Sequence, residues 1–184
     1  MKNITLNKII EAIQTYTNDD LSYYVSILRK NFSETEPIFM KNDYTSFFLD
    51  CSKIVKGWLP EVILANAYSE SEGSEKLLEI WQRTNFDAGI ENEILYHTKD
   101  EARHSRLFIK LLLDFNIDEI SRKKINNISK NLTKIDRSKL IKVDIKTHEA
   151  HFIDEIIQIN LGEIRTLVHM HFLGPVIFSL TKPE

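Results

Sequence analysis

Turn-forming residues are scarce in this chain: five glycines and four prolines serve 184 positions. So few breakers cannot punctuate many short strands, and the chain is confined to a few long elements. Apolar residues at three- and four-residue steps name those elements as helices. Residues 5–31 carry two short helical patterns, broken at Asn18-Asp19-Asp20. Residues 31–41, with Pro37, read as a connector. From Asp43 a stripe of Tyr44, Phe47, Phe48, Cys51, Ile54, Val55, Trp58, Val62 and Ala65 predicts a helix with one buried face. Pro60 kinks that helix or opens a new one at its first turn.

The run Ser69–Glu75 has loop composition. Yet Ile63, Ala67, Glu70, Ser74, Leu77 and Trp81 share one helical face. If helix wins there, it spans 61–83 and turns at Asn85-Phe86-Asp87. The next helix covers 87–116, burying Ile90, Ile94, Leu95, Phe108 and Leu111–Leu113. A polar helix or crossover follows at 117–133, then a charged linker at 134–146 with a short extended piece near Ile141–Val143. A last helix runs from 147 to 173, where Gly174-Pro175 should interrupt it. The expected architecture is all-α: one helical domain over 1–184, with N-terminal helices in 1–40 and a bundle core in 43–184.

Composition removes several function classes. A net charge of −3 gives nucleic acid no electrostatic handle. No stretch approaches the ~18 uninterrupted apolar residues of a membrane span. The single Cys51 has no partner for an internal disulfide, which fits a reducing compartment. No N-terminal segment has the order of a secretory signal. The expected location is the cytoplasm, and the sequons at Asn3, Asn31, Asn127 and Asn131 follow from an Asn-rich composition.

The chemistry is concentrated at Asp100-Glu101-Ala102-Arg103-His104. Glu101 and His104, three residues apart on a helix, project from one face and can reach one metal ion. Glu163 stands on the apolar stripe Phe152, Ile156, Ile159, Glu163, Leu167, Met170. A carboxylate buried there must be a ligand or be ion-paired. Glu70 precedes Glu101 by 31 residues, which suits antiparallel helices turning near residue 86. Glu61 is its rival if the first long helix ends near residue 69.

The Asp-Glu-x-Arg-His run resembles the second-helix motif of the ferritin-like di-iron oxygenases and oxidases. These include multicomponent monooxygenases, acyl-carrier desaturases, ribonucleotide reductase small subunits and arylamine N-oxygenases. The resemblance implies a ferritin-like bundle in which Glu101 bridges two metals, His104 caps one, and Glu70 or Glu61 and Glu163 complete the set. Asp100 and Arg103 would support His104 from behind. It implies iron, with manganese possible, and O₂-dependent hydroxylation or N-oxygenation of a small organic substrate. The family's fourth-helix Glu-x-x-His is absent after Glu163, so the bundle is incomplete as read.

Other readings compete. His97, Glu101 and His104 form H-x-x-x-E-x-x-H, a pattern similar to that of haem-oxygenase-like metal enzymes. His148, His151 and Glu155 run in mirror order and would meet it if the two helices were antiparallel neighbours. Plainly structural readings also apply. Glu-x-x-His is common as a solvated pair. Trp58 and Trp81 are core residues. Of His169 and His171 one is core and the other exposed, and Arg122-Lys123-Lys124 is a solvated face. A non-catalytic helical scaffold built on the same bundle is the alternative function. The apolar run 169–180 then needs another surface, and a homodimer would supply it.

Overall fold

The computed structural model describes residues 4–16, 18–83, 85–115, 118–133 and 149–181. All regular structure among them is helical: α1 Ile4–Tyr16, α2 Ser22–Glu34, a 3-10 turn Ile38–Met40, α3 Asn42–Ile54, α4 Trp58–Arg83, α5 Ala88–Leu112, α6 Glu119–Thr133 and α7 Glu149–Thr181. The all-α expectation is met. The linker at 134–146, with its extended piece, lies outside the described residues.

Of the two readings at Pro60, the new helix holds: residues 43–83 form two helices. Gly57 adopts φ +82°, which only glycine takes without strain. It separates α3 from α4 and leaves Pro60 in the first turn of α4, where a missing N–H costs nothing. The break also breaks the stripe. Phe48 is buried, but Phe47, Ile54 and Val55 are 59%, 79% and 49% exposed.

The chain clusters into two compact units, Met1–Lys56 with Asn160–Glu184, and Gly57–Ile159. In the first unit, Leu6, Ile9, Ile10, Leu28, Phe32, Met40 and Phe48 are buried together with Ile164, Val168, Phe172 and Leu173. Phe48 meets Phe172 with centroids 5.8 Å apart. His169 stacks on both Tyr44 and Phe48, while His171 is exposed. The Tyr44 hydroxyl lies 2.7 Å from His169 Nε2.

The buried face of this end of α7 is therefore Ile164, Val168 and Phe172, shifted by one or two residues from the expected Glu163, Leu167 and Met170, which are half-buried. The helix also continues through Gly174 and Pro175 to Thr181. Phe172 and Leu173 are buried immediately before, while His171, Gly174 and Pro175 are exposed. The carbonyl freed by proline thus belongs to an exposed residue that solvent can satisfy. Part of the apolar run that argued for a dimer, Phe172 and Leu173, is buried within the first unit, where Phe172 packs on Phe48 of α3.

The second unit contains α4, α5, α6 and the start of α7. Asp87 caps α5: its carboxylate accepts the backbone N–H groups of Gly89 and Ile90 at 2.9 and 3.2 Å. Asp118 does the same for α6 through the Ser121 N–H at 2.7 Å. Leu77, Ile80 and Ile94 form a core cluster, against which Trp81, Phe86, Phe152 and Ile159 pack.

Candidate metal centre

Two hydrogen bonds fix the register of α4 on α5. The Ser74 hydroxyl donates to the Thr98 carbonyl at 2.8 Å. Seven residues back on α4, the Ala67 carbonyl accepts from the Ser105 hydroxyl, seven residues on along α5, at 2.6 Å. Opposite displacements on the two helices mean that they run antiparallel. Ala67, Ser71, Ser74, Thr98, Ala102 and Ser105 are all buried. Small side chains let the backbones approach, and the two buried hydroxyls find acceptors on the facing helix backbone. The loop-like composition of 69–75 is thus the composition of a close helix–helix seam.

Between these two bonds lie Glu70 and Glu101, only 4% and 5% exposed. Glu70, Glu101 and His104 each offer a ligand atom, all within 4.8 Å of one another. Glu70 Oε2 lies 3.2 Å from His104 Nδ1. Glu101 Oε1 lies 3.0 Å from His97 Nε2. Each buried carboxylate therefore has an imidazole on its outer side, and both imidazoles are partly exposed. The hydrogen bond to Glu70 raises the pKa of His104 above the ordinary histidine value, against the partial burial that opposes it.

Gly73 makes room for this. A Cβ at position 73 would stand 2.7 Å from Glu101 Oε2. Only glycine leaves the carboxylate its place against α4. Sequence reasoning passed over Gly73 as a loop signal. Its position three residues from Glu70, on a helix that must approach another closely, was the available clue.

Within the second unit the sequence-based candidates divide. Glu70, Glu101 and His104 come together. Glu61 does not: it is exposed, accepts from the Ser121 hydroxyl at 3.4 Å and lies 3.8 Å from Lys124 Nζ. Glu163 is half-buried on the part of α7 that belongs to the first unit. Asp100 and Arg103 are exposed and paired with each other at 3.3 Å. Of these two, Arg103 reaches His104, with Nη2 3.2 Å from Nε2. A neutral His104 that donates from Nδ1 to Glu70 and accepts at Nε2 from Arg103 satisfies both contacts.

The mirror cluster does not assemble as expected. His148 lies outside the described residues. Glu155 carries Arg83 at 3.4 Å and His151 at 3.8 Å, so its charge is answered by α4 and by its own helix. His97 turns instead to Glu101.

No protein family, characterised protein or solved structure matches this chain. The ferritin-like resemblance therefore rests on the Asp100–His104 motif.

The donor set fits a transition-metal ion. Two carboxylates brought within 4.8 Å of each other in a buried seam repel. A divalent cation removes that repulsion and uses His104 as a third ligand. Mixed oxygen and imidazole donors suit iron, manganese or zinc and leave coordination positions open.

Proposed function

We propose that Glu70, Glu101 and His104 bind a divalent transition-metal ion, iron or manganese, and that the protein is an O₂-dependent oxidase or oxygenase of a small organic substrate. The observation that carries the metal assignment is the pair of buried carboxylates from two helices, converging with one imidazole. The oxidative chemistry comes from the resemblance of residues 100–104. When bound, iron in such a ligand set supplies O₂ activation. The chain's own contribution is to hold the site. The seam excludes water from Glu70 and Glu101, and Arg103 orients His104. His97 stands against Glu101 at 3.0 Å and orients its carboxylate. A di-iron centre needs ligands beyond these three, and a homodimer is one proposed source. No nucleic acid or membrane partner is proposed. No helix among the described residues is long and apolar enough to cross a membrane.

A non-catalytic reading has its own support. Both buried carboxylates already face an imidazole, so the same four side chains can act as a polar lock on α4 and α5. Oxygen consumption separates the two readings. Protein loaded anaerobically with Fe(II), then exposed to O₂, should oxidise its iron faster than free Fe(II) in the same buffer, and Glu101→Gln should abolish the difference. Equal rates with and without protein would leave only the structural lock.

A further inference from the structure

A groove of about 520 Å³ runs between α4 and α6 on residues that the metal centre does not use. Leu64, Ala65 and Ile128 give it an apolar floor, and Tyr68 stands over it, 53% exposed. The lining carries three carboxylates, Glu61, Glu72 and Glu75, against one ammonium, Lys124. That ammonium lies 3.8 Å from Glu61. Glu72 and Glu75 stand 11 and 14 residues further along α4, roughly 16 and 21 Å at 1.5 Å per residue. They are exposed, and the Tyr68 hydroxyl is hydrogen-bonded to Glu72.

We propose that this groove binds a small organic cation: an ammonium group carried on an apolar body of about one ring. The volume falls within the range of small-ligand sites, ~300–1,000 Å³. The floor takes the apolar body. At the far end from Lys124, Glu72 and Glu75 take the charge, and the face of Tyr68 attracts the same cation. An anionic ligand of the same shape meets a net negative lining and is refused. The assignment is independent of the metal centre, because Glu70 lies in the seam with α5 and does not line the groove.

The test uses the full metal-free chain and three probes of one shape: 3-phenylpropylammonium, 3-phenylpropanol and 3-phenylpropionate. Each is titrated into ¹⁵N-labelled protein to about 10 mM, a range that detects even millimolar binding. The ammonium should give saturable shifts confined to residues 61–75 and 124–131, with affinity above the alcohol and far above the carboxylate. E72Q/E75Q should weaken it about fivefold or more, since each near-surface charge contributes up to ~1 kcal/mol. Tyr68→Leu should weaken it about two- to fivefold, the scale of an exposed cation–π contact. All three positions are exposed, so the variants should keep the parent's helical content. The proposal is overturned by the absence of saturable shifts, by three probes binding alike, or by E72Q/E75Q binding as tightly as the parent.

Discussion

The Glu101 carboxylate of α5 rests against Gly73 of α4: a Cβ at position 73 would stand 2.7 Å from Glu101 Oε2. The carboxylate is held in the helix seam because one residue has no side chain. This relationship lets the metal centre be disturbed apart from the fold.

Gly73→Ala is the variant that does so. Alanine in a helix interior gains up to ~1 kcal/mol over glycine. Displacing a buried side chain costs about 1–3 kcal/mol. The net is a loss of about 0–2 kcal/mol, so the urea midpoint should fall modestly while the fold is kept. Metal affinity should fall about tenfold or more, because Glu101 must leave its place. A midpoint and an affinity both at parent values would show that the Glu101 carboxylate has freedom to move without consequence.

Arg83→Ala tests the ion pair that replaced the mirror histidine cluster. The Glu155 side chain is 12% exposed and, among the described residues, would keep His151 at 3.8 Å. Leaving a mostly buried carboxylate poorly paired should cost about 1–3 kcal/mol. Glu155→Gln should cost less, since it removes the charge with the partner. Equilibrium urea unfolding of both variants measures the difference, and equal losses would contradict it.

Much of this was legible before any coordinates. The helix expected over 87–116 is found as Ala88–Leu112, and the polar helix or crossover at 117–133 is the helix Glu119–Thr133; the caps Asp87 and Asp118 show only in the structure. Glu70 was reachable from its 31-residue distance to Glu101, because a turn at 85–87 folds the two positions together. The face of α7 was not legible. Ile153, Ile157 and Leu161 are 48%, 50% and 40% exposed, so the helix is apolar on several sides and periodicity cannot choose between Glu163 and Ile164. The run 69–75 stayed ambiguous for the opposite reason. Ser71, Gly73 and Ser74 are turn formers by composition, and only a neighbouring helix explains why they are small.

His169 gives the fold a pH dependence. Burial, with Arg165 as the smaller cause, lowers its pKa to about 4. An unfolded histidine titrates near ~6.5. Above that value both states are neutral and the stability is fully present. As pH falls from ~6.5 towards about 4 the unfolded state takes the proton first, and stability is lost across that window. His169→Gln should flatten this part of the profile, by about 1–2 kcal/mol after allowance for partial exposure. Thermal unfolding of both proteins from pH 7 to pH 4 reads it. Parallel curves would mean that His169 keeps ordinary solvent access.

The central claim is that two buried glutamates and one histidine form a metal site. Its most direct measurement is a calorimetric titration of metal-free protein with Mn(II), followed by electron paramagnetic resonance of the bound ion, for the parent, Glu70→Gln and Glu101→Gln. One ion per chain is expected, with affinity on the order of micromolar. Each variant should lose about 100-fold or more, beyond the 10–100-fold that a group merely supporting a ligand contributes. Parent protein that takes up no ion, or variants that bind as the parent does, would contradict the account and leave the four side chains as a structural lock between α4 and α5.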